Sequence, residues 1–387
     1  MKTQTVKGFS DFTGAEAAKR MKIRKIILEQ FELYGFEPAE TPIIEYEEFV
    51  RGKNSNDEAV RDVFTLKDRG NRELALRYEF TFQLKRLAKN QKLPYKRFQV
   101  GYNFRDEPIR KGRTRQFIQC DADVVGSTMK DEAELLKLAK NVFEKLEMPI
   151  VIYVNNRRLI NEILVDENIE EKNREQVVRE LDKLDKLSEK EVADNLKKLD
   201  AEKVLKIFIS GEEAFEKYSF YKEVKELKRL CKSYDVDVEF RPFLARGLSY
   251  YNGSVFEIWS KELGVSLSGG GSYLIDEIQS TGISFGLEPI SLLTKISGDI
   301  TKVQIISIGQ DEAAISLAEE LRGNKISVSL LLDKTIQKAM EYANSKEIEN
   351  VVFVGKDEVS QNKFKMKNME SGEEKVLNRE EIIEELN

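Results

Sequence analysis

From Phe98 to Phe104 every second residue is apolar (Phe98, Val100, Tyr102, Phe104), and Gln99, Gly101, Asn103 and Arg105 take the alternate positions. A period of two describes a strand with one face turned to a core. A loop with Arg110, Lys111, Arg113 and Arg115 follows, and then the period returns. Ile118, Cys120, Ala122 and Val124 point one way; Phe117, Gln119, Asp121 and Asp123 point the other. A hairpin with a patterned polar face, closed by an arginine-rich loop, is expected to floor a site for a phosphorylated ligand. The same pattern also describes a hairpin whose polar face is simply solvated.

Upstream, Ile23, Ile27, Phe31 and Tyr34 recur at helical spacing behind a Thr13/Glu16 capping-box signature, and Gly35 is placed to end that helix. Residues 36–46 read as extended, with Pro42 favouring an edge strand or an interface. Residues 63–87 hold a strand–turn–strand pattern running into a helix start, with Glu79 and Thr81 at the junction; helix capping alone would also account for that pair. Lys92 to Arg97 reads as a basic linker. Residues 156–234 are rich in Lys and Glu, with Val177, Leu181 and Leu184, then Val192, Leu196 and Leu199, at helical spacing, which predicts a helical insertion. Further on, Asn252-Gly253 between strand-like residues predicts a hairpin turn. Gly269 to Gly271 allow close approach of a ligand or mark a bulge. Gly286 turns a strand into a helix whose first turn admits Pro289. Past Ile300 three strands alternate with two helices, which predicts a parallel sheet in a separate small domain.

The chain has 387 residues, enough for two or three domains, and carries a net charge of -6. It contains no long apolar run and no apolar leader, and its two cysteines have no metal spacing, so a cytoplasmic protein without metal ligands is expected. It contains no histidine. That excludes Ser-His-Asp triads, imidazole bases and His-ligated zinc, and leaves positioning and charge stabilisation as the available chemistry.

The motifs in this order resemble those of the histidyl-tRNA synthetases, class II aminoacyl-tRNA synthetases. GFSDF at Gly8 resembles the family's opening, and YGF with ETPIIE resembles motif 1, which forms the family's dimer interface. FRDEPIRKGRTRQFIQCDAD resembles motif 2, RGLSYYNGSVFE the histidine-specific signature, and GISFGLE motif 3. The resemblance implies an α+β fold: a class II catalytic domain over residues 1–300, on a mixed, mainly antiparallel sheet flanked by helices, with a helical insertion at about 157–234. An α/β anticodon-binding domain would occupy residues 301–387. It implies activation of histidine by ATP, with Mg2+, to histidyl-adenylate and transfer to tRNA-His by a homodimer.

Position by position, the resemblance gives Arg105 and Arg246 to the ATP α-phosphate as the catalytic pair, Arg246 standing where other class II enzymes use a metal ion. It gives Glu79, Thr81 and Gln119 to the α-ammonium group of histidine, Asp123 and Tyr251 to the imidazole nitrogens, and Tyr250 and Tyr273 to the pocket wall. Arg110 and its neighbours would meet the 5′ end of the tRNA. Four positions depart from the family pattern. Pro289 replaces the motif 3 arginine that contacts the γ-phosphate, Ser249 replaces the aspartate of RGLDYY, and Ser272 and Leu274 replace the arginine and aspartate of a GGRYD-like stretch. The first removes a charge-assisted contact, so weaker ATP binding or compensation by Arg113 is expected. The alternative is a catalytically silent paralogue, such as the regulatory subunit of ATP phosphoribosyltransferase, which lacks the tail domain.

Overall fold

The computed structural model describes residues 3–52, 60, 62–245, 250–262, 264–298 and 302–386. Two compact units emerge, residues 1–11 with 23–296 and residues 12–22 with 297–387. In the first, the strands are β1 (Glu37–Pro38), β2 (Ile44–Tyr46), β3 (Thr65–Lys67), β4 (Glu73–Leu76), β5 (Tyr95–Phe104) and β6 (Gln116–Val125). They continue with β7 (Ile150–Asn156), β8 (Glu239–Phe240), β9 (Tyr251–Ser260), β10 (Ser266–Ile275) and β11 (Ile278–Gly286).

Eight of these form one sheet in the order β1-β5-β6-β11-β10-β9-β7-β8. Only the outermost pairs, β1 with β5 and β7 with β8, are parallel, so the sheet is mixed and mainly antiparallel. The β5–β6 hairpin at its heart is the one the alternating pattern predicts, and it pairs Gln99 with Asp121 and Arg97 with Asp123. Its apolar face, with Phe98, Ile118, Cys120 and Ala122, packs on Ile23, Ile27 and Phe31 of the first helix and on the Met129–Lys145 helix. Strands β2, β4 and β3 form a separate antiparallel sheet.

The lysine- and glutamate-rich region is helical, from Arg157–Asp166 through Tyr221–Ser233. Ser188 caps one of its helices: its Oγ accepts from the Glu191 amide at 3.3 Å, and the Glu191 carboxylate accepts from the Ser188 amide at 2.9 Å. Its apolar stripe, including Val177, Leu181, Val192 and Leu196, is buried in the same core as the sheet. The charges therefore lie on the outside of a region that shares the main core.

Two expectations are corrected. Asn252-Gly253 is no turn; it lies inside β9, which runs unbroken from Tyr251 to Ser260. Glycine leaves the Ser272 side chain in place there: a Cβ would come 2.7 Å from its hydroxyl and displace it. Lys92 to Arg97 is not wholly a linker, because β5 begins at Tyr95 and Arg97 is completely buried. Of the two readings of the glycine triplet the bulge fits: the register with β9 shifts between Gly271 and Tyr273, and a Cβ on Gly270 would overlap the Gly282 carbonyl of the neighbouring strand.

In the second unit β12 (Val303–Ser307), β13 (Val328–Leu331) and β14 (Asn350–Val354) are parallel, with helices between them. The sheet is larger than expected, because β15 (Phe364–Asn368) and β16 (Glu374–Leu377) extend it antiparallel beyond β14. The short helix Lys356–Gln361 leads from β14 into β15, and a short turn joins β15 to β16, as an antiparallel pair allows. Val303, Ile305, Leu317, Leu321 and Val352 centre its own core.

Candidate active site

The polar face of β5 and β6 is the floor of the site. Along β5 it shows Arg97, Gln99, Gly101 and Asn103, with Arg105 just past the strand's end, and along β6 Gln119, Asp121 and Asp123. Strand β11 continues the floor with Gly282 opposite Asp123 and Ser284 opposite Asp121. Strands β10 and β9 complete it with Tyr273 and Tyr251, which are paired across the ladder.

Asp123 is buried, with the Arg97 guanidinium 2.9 Å away and the Tyr273 hydroxyl donating to its other oxygen. A Cβ on Gly282 would overlap Asp123 Oδ1 and lie 3.0 Å from the Tyr273 hydroxyl, so only glycine leaves room for this pair. Burial raises Asp123 above the ordinary carboxylate range, and Arg97 and Tyr273 pull against that rise. Asp121 forms no ion pair among the described residues, and the Ser284 hydroxyl and the more distant Arg97 only partly stabilise its charge. Burial and the neighbouring Asp123 push its pKa up to about 8.

Glu79 enters from the loop before the Thr81–Gln83 turn of helix. It is buried and pushed up to about 7 by desolvation, with Arg105 opposing. The Tyr250 hydroxyl donates to it at 3.4 Å and also engages Thr81. The rings of Tyr250, Tyr251 and Tyr273 form one wall, with centroids 4.9, 5.5 and 6.4 Å apart. Gln119 is held at both ends: its Oε1 accepts from Asn103 at 2.6 Å, and its Nε2 donates to Ser284 at 2.7 Å.

Arg105 donates from Nε to the Tyr78 carbonyl at 3.1 Å and lies over the Phe117 ring. Beyond it, reciprocal backbone bonds between Arg110 and Arg113, 2.9 and 3.1 Å long, close the loop tip around Lys111-Gly112. Gly112 has φ +75, the left-handed conformation that favours glycine in such a turn. The Arg113 side chain is largely exposed, with Glu107 3.6 Å away.

The expected site residues Glu79, Thr81, Arg105, Gln119, Asp123, Tyr250, Tyr251 and Tyr273 thus converge on one face of one sheet and its rim. Arg246 and Ser249 lie outside the described residues. Sequence reading missed Arg97, Asp121 as a titrating neighbour, and Ser284. Extending the period of two back from Gln99 would have placed Arg97 on the polar face.

A model of the histidyl-tRNA synthetase family matches residues 8–290. The chain belongs to that family. An anticodon-binding-domain model matches residues 302–387. The chain is 34% identical to histidine–tRNA ligase 1 of Bacillus cereus, over 97% of both chains. It is 30% identical to the histidine–tRNA ligase of Nanoarchaeum equitans over 92% of each. The fold matches the crystal structure of histidyl-tRNA synthetase from a Nostoc species with a TM-score of 0.87 at 24% identity, covering 100% of this chain and 99% of that one. A Bacillus halodurans structure described as an ATP phosphoribosyltransferase regulatory subunit/histidyl-tRNA synthetase gives 0.76 at 22%, covering 91% and 98%.

Against this synthetase frame the departures fall in different places. Pro289 sits in the first turn of the Leu287–Leu293 helix, where its missing N–H leaves no intrahelical bond unmade. The next residue back, Glu288, accepts from the Ile118 amide with both carboxylate oxygens, at 3.1 and 3.2 Å, and ties this helix to β6. Ser272 is buried on the far side of β10, where its hydroxyl donates to the Ser254 carbonyl. Leu274 is exposed. Neither Ser272 nor Leu274 faces the tyrosine wall. No helix among the described residues is long and apolar enough to cross a membrane.

Proposed function

We propose the following division of labour for a histidine–tRNA ligase. Glu79, Thr81 and Gln119 take the α-ammonium group of histidine, and Asp123 and Tyr251 take its ring nitrogens, with Tyr250 and Tyr273 as the wall. Arg105 meets the α-phosphate of ATP, with Arg246 from the opposite side; Arg113 serves the outer phosphates. The histidine carboxylate attacks the α-phosphorus in line, pyrophosphate leaves with the broken P–O bond's electrons, and histidyl-adenylate results. No protein base is needed, because the attacking carboxylate is already ionised; the arginines oppose the charge growing on the phosphoryl oxygens. A ribose hydroxyl at the 3′ end of tRNA-His then takes the acyl group, and AMP leaves.

The observation that supports this reading best is the pairing of buried Glu79 and Asp123 on one floor, the first beside Arg105, the second held by Arg97 and Tyr273. One acid faces the phosphate end and the other lies deep under the tyrosines, which suits an amino acid lying between them. A substrate without ring nitrogens would leave Asp123 short of a partner, a loss that discriminates strongly.

ATP enters as its magnesium complex, the cation travelling on the phosphates as part of the substrate. Residues 1–300 act as the catalytic domain and 301–387 as the anticodon-binding domain, in the cytoplasm where tRNA is charged. Exposed Ile43, Ile44 and Tyr46, in the segment resembling motif 1, support a homodimer. Histidine-dependent exchange of pyrophosphate into ATP is the direct test. Exchange with histidine alone among the amino acids is expected, and its absence in folded protein would overturn the assignment. Charging of tRNA-His then separates the ligase from a silent paralogue.

A further inference from the structure

Beneath Asp123 lies a cation that the reaction as described does not use. Arg97 is wholly enclosed, with Nη2 2.9 Å from Asp123 Oδ2 and 3.3 Å from the Phe80 carbonyl, to which it donates. Its Nε and Nη1 have no protein partner among the described residues. An enclosed guanidinium is costly unless a counter-charge stands beside it. Here that counter-charge is the same carboxylate that faces the substrate ring.

We propose that Arg97 is a specificity-determining residue: by balancing Asp123 from below, it makes the pocket select the uncharged imidazole ring of histidine over imidazolium. The inference rests on histidine being the substrate of this pocket. With Arg97 and Asp123 the floor is neutral, and an imidazolium would bring an uncompensated positive charge into a water-poor site. A neutral ring asks for one acceptor, Asp123, and one donor, the Tyr251 hydroxyl. Without Arg97 the floor would be a bare anion, whose natural partner is the cation.

The other titratable groups facing this pair leave the balance in place. On β6, Asp121 is pushed up to about 8 and remains largely neutral at pH 7. Glu79, on the loop, has Arg105 beside it. Tyr273 on β10 is raised well above its ordinary value by burial and so remains a neutral donor. Tyr251 on β9 borders Tyr273, and Tyr95, on the same strand as Arg97, is also raised by burial. Arg77, which interacts with Asp121, is committed to the Tyr102 and Thr41 carbonyls at 2.9 and 2.7 Å.

Proton counting by titration calorimetry tests this on the full chain. Binding of histidine is measured at pH 6 in buffers of different ionisation enthalpy, beside triazolylalanine, whose ring is neutral there. The analogue reports protons exchanged by protein groups; the difference reports the ring. In the free amino acid the α-ammonium charge lowers the imidazole pKa from the peptide value of about 6.5 to about 6, so roughly half of free histidine is imidazolium at pH 6 and selection of the neutral ring releases about 0.5 proton more than the analogue. Equal release overturns the proposal, and no binding of histidine by folded protein overturns the substrate assignment itself. Arg97→Lys is expected to keep the excess release. Arg97→Leu and Arg97→Gln should lose most of it, and retention in whichever of these folds would remove Arg97 from the explanation. If neither folds, the proposal still falls when histidine and triazolylalanine release equal numbers of protons on binding to wild-type protein or to Arg97→Lys.

Discussion

Gly112, at the tip of the arginine-rich loop, lies directly against Pro289: a Cβ built on the glycine would meet Pro289 Cα and Cβ at 3.6 Å. The motif 2 loop and the first turn of the motif 3 helix are therefore one surface. Arg113, next to Gly112, is close to the place where the family has its motif 3 arginine.

That proximity supports a prediction for ATP binding. Arg113→Ala is expected to raise the KM for ATP in pyrophosphate exchange about tenfold, the scale of one lost charged hydrogen bond. Pro289→Arg in the Ala variant should recover most of it. An ATP KM unchanged by Arg113→Ala would show that Arg113 does not compensate for Pro289.

Glu79 lies between Arg105 and Tyr250. Glu79→Gln keeps the shape and removes the charge offered to the substrate ammonium group. The histidine KM is expected to rise more than about tenfold, the cost of a buried charged pairing, with the ATP KM nearly unchanged. Equal rises in both would point to collapse of the site rather than loss of one contact.

Glu132, buried on the far side of the sheet, gives a stability test with a defined sign. Burial pushes its pKa from 4.5 to about 7, against hydrogen bonds from Ser254 and Ser272. Its folded-state pKa is raised, so its contribution is fully present below about pH 4.5 and is lost as pH rises through about 7. Glu132→Gln is not subject to that loss. Relative to wild type it should gain up to about 3 kcal/mol between pH 4.5 and pH 8, at 1.36 kcal/mol per pH unit. Thermal unfolding of both proteins at the two pH values checks it, and a constant difference in Tm would contradict it.

Ile44 lies in the exposed apolar segment with Ile43 and Tyr46, beside the buried Glu45–Gln83 hydrogen bond of 2.6 Å. Ile44→Lys should leave that bond intact while placing a charge on the proposed dimer surface. Sedimentation is expected to show a dimer for the wild type and a shift toward monomer for the variant; a monomeric wild type would rule out the proposed homodimer.

Much of this was legible in the chain itself. A period of two requires no tertiary information, so the β5–β6 hairpin, its polar face and the convergence of Gln119 with Asp123 could be read directly. The order of the motifs likewise carried the family, and the helical spacing of Val177, Leu181, Val192 and Leu196 carried the insertion. Asn252-Gly253 shows where local chemistry fails: the dipeptide favours a turn, but pairing with the neighbouring strand keeps it extended, with the Ser272 hydroxyl packed over Gly253.

The sequence alone determined which residue types were available: no imidazole base, a row of arginines, and carboxylates at alternating positions. Only the tertiary structure decided how those charges pair. Arg97 looked like part of a basic linker, yet it is buried against Asp123, whereas Asp121, two residues from Asp123, forms no ion pair among the described residues. The reason is physical. Periodicity assigns a residue to a face, whereas desolvation and the distance to a counter-charge depend on strands distant in sequence.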